Sequence, residues 1–310
     1  MELFMEHIYD IAIIGGGPAG YSAALYATRA GFDTLVIEKM SVGGQMTLTG
    51  DIDNYPGFDE GVDGFTLGAK MQNGAHRFGA KTQYGEVLSA ELDGRVKKLV
   101  TSSGDVFCRA LIIATGADPR RLGVEGEDAL VGRGVHYCAH CDGRFYKGKT
   151  VVVVGGGNSA VGDALYLSRI AEKVILVHRR DTLRASRIYH EQLEKSPNIE
   201  IHWNSAIDSF KVDGRVVGVT LKSLIDQSVC EVDCNGVFVS IGRRPVTEFL
   251  GDALELDGAG YIVADESTKT SKDGVFAAGD VRIKALRQVV TAAADGAVAV
   301  HFADEYLSLE

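Results

Sequence analysis

Two stretches of the chain carry the same pattern of apolar and polar positions. Residues 11–39 read IAIIGGGPAGYSAALYATRAGFDTLVIEK, residues 151–179 read VVVVGGGNSAVGDALYLSRIAEKVILVHR, and the two align without a gap. Each opens on a short apolar, β-branched run, which suits a buried parallel strand. Each passes through a glycine-rich turn into an amphipathic helical segment with Ala-Leu-Tyr at matching places. Each closes on a second apolar run, 34–37 and 174–177. The pattern predicts a strand–turn–helix–strand unit, present twice.

Elsewhere the alternation is that of strands. Segments 82–91, 97–100 and 106–114 alternate, with Asp-Gly at 93–94 as a hairpin signal, and so do 206–213, 215–222 and 227–239, with Asp213-Gly214 as the turn. Residues 287–308 read as a closing helix. Turn-rich stretches around Pro119 and Pro245 mark two linkers. The expected architecture is therefore α/β: two dinucleotide-binding, Rossmann-like, three-layer domains, the second inserted into the first. The first domain spans 1–118 and 246–310, and the second spans 119–245.

The repeated turn carries chemistry. Gly15, Gly17 and Gly20 fill a G-x-G-x-x-G fingerprint, and Gly155, Gly157 and Ala160 fill its second copy. The first glycine allows the tight turn, the second admits a pyrophosphate to the backbone, and the third position must be small for helix and strand to pack. The helix N-terminus then presents free N–H groups to phosphate. A single copy is weak evidence, but two gap-free copies with intact flanking strands are not. The tip of the second strand distinguishes the two sites. Glu38 suits a ribose 2′-hydroxyl and repels a 2′-phosphate. The equivalent His178 is followed by Arg179 and Arg180, whose guanidinium groups match a phosphate. The first site is expected to hold FAD or NAD, and the second NADPH.

Length and composition fit this picture. The chain has 310 residues, 45% of them hydrophobic and 24% charged, enough for two cores. A net charge of -10 argues against a nucleic-acid partner. The opening MELFMEHIYD lacks a basic stretch followed by an apolar run, and no apolar run approaches the ~20 residues that span a bilayer. A cytoplasmic protein with no membrane partner is expected.

The cysteines are Cys108, Cys138, Cys141, Cys230 and Cys234. Cys138-Ala139-His140-Cys141 admits two readings: a reversible disulfide, or half of a zinc site completed by His136 or His190. Zinc sites usually carry a second pair. The spacing of Cys230 and Cys234 places both on one face of a strand but apart along it, so these two and Cys108 read as structural and no metal is expected. Two nucleotide sites and one dithiol form a redox chain. NADPH delivers two electrons as a hydride, and a flavin can accept it and pass the pair to sulfur, which selects FAD for the first site.

With these residues in place, the sequence resembles the low-molecular-weight bacterial thioredoxin reductases over nearly its whole length. The motifs are GGGPAG at 15–20, GGQ at 43–45, NYPGF at 54–58, ATG at 114–116, CAHCDG at 138–143, GGGNSA at 155–160, HRRDTLRA at 178–185, GVFAAGD at 274–280 and RQVVTAAADG at 287–296. The resemblance implies that Gly43, Gly44, Gln45, Asn54, Ala114, Thr115 and Gly116 line the flavin, and that Asp280 meets its ribityl chain. Arg287, Gln288 and Val289 would sit against the flavin ring. Asn158 and Ser159 would join the second nucleotide turn, and Arg184 would join Arg179 and Arg180 around the 2′-phosphate. Asp142 would relay protons to the dithiol; its plainer reading is a helix N-cap. Thioredoxin as the disulfide substrate, a homodimer and a rotation of the inserted domain are also implied. His140 departs from the Thr or Val common in the family, which bears on the redox potential. A dithiol oxidase on the same fold would have less use for the HRR sequence at 178–180. A zinc-binding regulatory module is the non-catalytic alternative.

Overall fold

A computed structural model describes residues 7–48 and 51–309. Residues 1–6, part of the stretch read for a leader, lie outside them. Among the described residues, 7–48, 52–118 and 244–309 form one compact unit, and 119–243 together with Asp51 form another.

The first unit begins with strand β1 (Ile8–Ile14), helix α1 (Pro18–Arg29), β2 (Thr34–Glu38), α2 (Gly64–His76), β3 (Lys81–Tyr84), β4 (Val87–Glu91), β5 (Lys97–Thr101) and β6 (Val106–Ile113). The sheet order is β3-β2-β1-β6-β5-β4. β1, β2, β3 and β6 run parallel, while β5 is antiparallel to both of its neighbours, β6 and β4. The run 82–91, which alternates like one strand, is two. The chain turns at Gly85, whose N–H donates to the Glu38 carbonyl at 2.9 Å. A Cβ there would fall 2.1 Å from Ser103 Oγ. The period of two survives the corner, so alternation alone does not reveal it.

Both faces of this sheet are covered, which is why its strands read as unbroken apolar runs. Ile11, Ile13, Ala110 and Ile112 pack on one side with α1. Ala12, Ile14, Leu111 and Ile113 fill the other.

The second unit contains β7 (Val135–His136), α3 (Ala139–Asp142), β8 (Thr150–Val154), α4 (Asn158–Leu167), β9 (Lys173–Val177), α5 (Arg187–Glu194), β10 (Ile199–His202), β11 (Ser205–Val212), β12 (Val216–Ser223), β13 (Val229–Asp233) and β14 (Gly236–Val239). A parallel sheet runs β7-β14-β8-β9-β10, and β11-β12-β13 form a separate antiparallel sheet. Val151, Val153, Val174 and Leu176 pack under α4. Val152, Val154, Ile175 and Val177 face Ile207, Val219 and Leu221 of the antiparallel sheet. The unit is thus helix, parallel sheet, antiparallel sheet. The run 227–239 divides between the two sheets. β13 ends at Asp233, so Cys234 lies beyond it and is buried while Cys230 is exposed. They do not share a face as the spacing suggests.

Segments Ala117–Pro119 and Arg243–Pro245, which read as turn-rich linkers, pair as a two-stranded sheet. The chain then completes the first unit with β15 (Val275–Ala277) and α6 (Val289–Ser308). β15 pairs in parallel with Leu111–Ile113 of β6. Helix α6 lies so close to α1 that a Cβ on Gly296 would fall 2.2 Å from the Ala19 carbonyl oxygen. Among the described residues, no helix is long and apolar enough to cross a membrane.

Candidate functional site

The two glycine-rich turns have the same geometry. Gly15 has φ +106 and Gly155 has φ +147, values that favour glycine. Gly15 N–H donates to Ile37 O at 2.8 Å, and Gly155 N–H to Val177 O at 3.0 Å. A Cβ on Gly15 would fall 2.4 Å from Ala114 O, and one on Gly155 would fall 2.4 Å from Ser240 O. Small third positions are also required: a Cβ on Gly20 would fall 1.8 Å from Gly15 O, and the methyl of Ala160 takes the space beside Gly155. Gly17 and Gly157 are different. Nothing lies within 4 Å of a Cβ built on either. Each is the N-cap of its helix, α1 or α4, and no side chain caps the first-turn N–H groups. An open backbone beside uncapped N–H groups fits a pyrophosphate at both turns.

The strand tips complete the turns. Glu38 is buried, and its carboxylate accepts the Gly16 N–H at 2.6 Å and the Met40 N–H at 2.9 Å. A carboxylate has about four acceptor positions, so room remains for a ribose hydroxyl. His178 is also buried, with Nε2 2.9 Å from Thr182 O. Burial, helped by the charges of Arg184, Arg180 and Arg179, holds its imidazole below the usual histidine pKa. Those three arginines are exposed. Their loop is pinned to the turn by Arg184 N–H donating to Gly156 O at 2.7 Å. Asn158 Oδ1 accepts the Ser186 N–H at 2.8 Å. Ser159, like Asn158, lies in the first turn of α4.

The other flavin-motif residues all lie in the first unit. Gly43 N–H donates to Gly16 O at 2.9 Å, and a Cβ on Gly44 would lie 3.5 Å from the Gly17 Cα. Ala114 N–H donates to Ile14 O at 2.8 Å, and Thr115 Oγ1 donates to Val246 O at 2.7 Å. Gly116 has φ +72. Gln45 Nε2 donates to Asp118, and Asn54 Nδ2 to Gln288 Oε1, both at 2.8 Å. Gln288 caps α6, of which Val289 is the first residue. Asp280 sits in the single turn Gly279–Val281. The Arg287 guanidinium lies 4.2 Å from the centre of the Tyr261 ring, and its Nε is buried with no hydrogen-bond partner among the described residues. Buried donors are normally bonded, so this nitrogen fits a cofactor acceptor.

Sequence reasoning missed what holds the 279–281 turn. Asp295 of α6 accepts from Gly279 N–H at 2.8 Å, Arg282 Nε and Nη2 at 2.9 Å each, and Lys284 Nζ at 2.8 Å. The sequence signal is weak: an acid nearly two helical turns into α6, in RQVVTAAADG, looks like any surface charge.

Cys138 and Cys141 form a disulfide across the single turn α3, with Cα atoms 5.3 Å apart. Cys141 N–H donates to Cys138 O at 3.3 Å, and Asp142 N–H does so at 3.1 Å. Among the described residues no group of three or more His, Cys, Asp or Glu could hold a metal ion. His190 instead places Nε2 3.1 Å from Ala185 O. Cys108 and Cys234 are buried, and burial pushes each thiol up to about 12. The Asp142 carboxylate caps no helix. It is buried, and its Oδ2 lies 3.1 Å from His136 Nδ1. His136 Nε2 lies 2.6 Å from the Tyr146 hydroxyl. On the adjoining residue, Tyr137 donates its hydroxyl to Glu127 and accepts from Arg121, both at 2.6 Å. His140 is exposed, its ring 4.1 Å from that of Tyr166.

Two dinucleotide turns and a disulfide on one chain define a flavin-dependent disulfide oxidoreductase. The chain belongs to the pyridine nucleotide-disulphide oxidoreductases, whose family model matches residues 9–296. It is FAD-containing and NADPH-dependent, and Cys138–Cys141 is its redox-active pair. More particularly, it is 47% identical over 304 residues to the thioredoxin reductase of Listeria monocytogenes, covering 97% of this chain and 95% of that one. It is 44% identical over 309 residues to the thioredoxin reductase of Peptoclostridium acidaminophilum, covering 98% of each. The thioredoxin reductase of Streptococcus pyogenes superposes with a TM-score of 0.92 at 41% identity, covering 98% of this chain and 99% of that one.

Proposed function

We propose that the chain is an NADPH-dependent thioredoxin-disulfide reductase. The observation that carries this is the Cys138–Cys141 disulfide, set beside the buried Asp142 carboxylate in the same unit as the second dinucleotide turn. Residues 1–118 and 246–310 bind FAD, and residues 119–245 bind NADPH and carry the disulfide.

Gly15, Gly17 and Gly20 admit the FAD pyrophosphate, and Glu38 takes the ribose. Gly43, Gly44, Gln45, Asn54, Ala114, Thr115, Gly116, Asp280, Arg287, Gln288 and Val289 surround the rest. Gly155, Gly157, Asn158, Ser159 and Ala160 receive the NADPH pyrophosphate, and His178, Arg179, Arg180 and Arg184 select its 2′-phosphate. Bound FAD supplies the two-electron relay between the nicotinamide and sulfur. Asp142 gives a proton to the nascent dithiol. Cys138 and Cys141 then exchange with the thioredoxin disulfide. The nicotinamide and the disulfide share one unit and each must reach the flavin, so turnover uses two poses of that unit. The active form is a cytoplasmic homodimer with no membrane partner.

Purified protein should be yellow with one FAD per chain and should oxidise NADPH when given a thioredoxin from the same genome. Colourless protein that takes up no added FAD, or yellow protein inert towards every such thioredoxin, would overturn the reading.

A further inference from the structure

The His136 ring is held on every side. It stacks on Phe238, with centroids 5.3 Å apart and an interplanar angle of 27°, and meets Tyr146 edge-on at 5.3 Å. Its nitrogens bridge Asp142 Oδ2 at 3.1 Å and the Tyr146 hydroxyl at 2.6 Å. His136, Asp142 and Tyr146 are all buried. We propose that His136 is a positioning residue for the proton-relay carboxyl of Asp142, its Nδ1–H donating to Asp142 Oδ2 in a tautomer fixed by the Tyr146 hydroxyl at Nε2. The proposal rests on the reading of Asp142 as the proton donor to the dithiol.

Donor and acceptor capacities give the direction of each bond. A carboxylate only accepts, and a neutral imidazole has one donor nitrogen and one acceptor. The Asp142 carboxylate at Nδ1 can only accept, which leaves Nε2 as the acceptor nitrogen, and the Tyr146 phenol, pushed up to about 12 by burial and the charge of Asp142, donates its proton there. Nδ1 then carries the hydrogen and points it at Oδ2. With Oδ2 occupied by a donor, the exchangeable proton of Asp142 resides on Oδ1. The hydride given up by NADPH supplies an electron pair that breaks the S–S bond and leaves two thiolates, and its proton is released to solvent. The Oδ1 proton passes to one of them, making a thiol, and the Asp142 carboxylate left behind keeps the Nδ1–H bond until solvent returns a proton. That bond holds the carboxyl in one orientation and leaves Oδ1 as the oxygen that carries the proton. Other groups facing the cluster are Arg215 and Cys234, which act on Tyr146, and Lys149, whose ammonium lies 5.6 Å from the centre of the Tyr146 ring; the Cys234 thiol is itself pushed up to about 12.

The test uses holoenzyme mixed anaerobically with one equivalent of NADPH. Flavin absorbance falls as hydride arrives and returns as the pair moves to the disulfide, and free thiols are counted at the end. His136→Phe keeps the apolar volume. It should leave the falling phase unchanged and slow the returning phase about tenfold. His136→Asn, which restores an N–H donor, should return that phase to the wild-type range. Long-range 15N spectra of histidine-labelled protein, with His136→Asn identifying the signal, should show Nδ1–H. A wild-type returning phase in His136→Phe, no rescue by His136→Asn, or an Nε2–H tautomer each overturns the proposal. Asp142→Asn separates the two levels. If it leaves the returning phase intact, the role of Asp142 itself falls; if it slows that phase while His136→Phe does not, only the positioning role falls.

Discussion

Gly156 and His178 meet so closely that a Cβ on the glycine would fall 2.2 Å from the imidazole Cε1. In the first repeat, a Cβ on Gly16 would fall 2.9 Å from Glu38 Oε2. Both units therefore hold the residue at the strand tip against the middle glycine of the turn. Gly156→Ala should displace His178 and the arginine loop anchored beside it. Overpacking of this kind costs about 1–3 kcal/mol. The KM for NADPH should rise while FAD content stays at one per chain, which steady-state kinetics and flavin absorbance would check. An unchanged KM would mean that the ring does not position the loop.

Replacing both Arg179 and Arg180 with Ala tests the phosphate contact directly. A charge-assisted hydrogen bond contributes roughly 1.5–3 kcal/mol, or about ten- to a hundredfold each. The KM for NADPH should rise accordingly and that for NADH should barely move. A constant NADPH/NADH ratio would place recognition of the phosphate elsewhere.

Cys138→Ser or Cys141→Ser should leave flavin reduction by NADPH intact in stopped flow and abolish reduction of thioredoxin. Retention of full thioredoxin turnover by Cys141→Ser would rule out the pair as the relay.

Asp295 gives a pH signature. Burial pushes its carboxyl upwards, but hydrogen bonds from Arg282 and Lys284, with the Gly279 N–H, outweigh that and hold it below the usual carboxylate range. A depressed carboxyl contributes stability that is complete above the unfolded pKa and is lost as pH falls through the folded one. Unfolding midpoints should therefore drop below about pH 4 in the wild type. Asp295→Asn should flatten that limb and cost about 3–5 kcal/mol at neutral pH, since it leaves the buried Arg282 with only the exposed Glu266 carboxylate, 3.8 Å away, as counter-charge. FAD should also be held more weakly, because Gly279 of the 279–281 turn loses its anchor. Chemical denaturation across pH, with fluorescence titration of FAD, would measure both effects.

The repeat was legible because its chemistry is local. Gly15, Gly17 and Gly20 fall within six residues of one another, and Glu38 and His178 sit at fixed offsets from their turns. The break at Gly85 and the division of 227–239 were not legible, because alternation reports which face a residue takes and not which strand it pairs with. His136 was noticed only as a possible zinc ligand. Its real neighbours, Asp142 and Tyr146, are joined to it by the way β7 and α3 fold back, which spacing does not encode. Asp295 and Arg282 were missed for the same reason: a buried ion pair looks in sequence like two surface charges.

The branching of β6 bears on how the chain is made. Its first half pairs with β5, but Leu111–Ile113 wait for Val275–Ala277. Residues 119–243 form one continuous segment and hold all their own strand partners. On a ribosome the inner unit can therefore finish while the outer sheet still exposes a strand edge to other nascent chains. Limited proteolysis of a chain stopped at residue 245 should find 119–243 protected and the earlier strands cleavable. β15, followed by α6, is what closes that edge, so the outer sheet is shielded from aggregation only once these later residues have emerged.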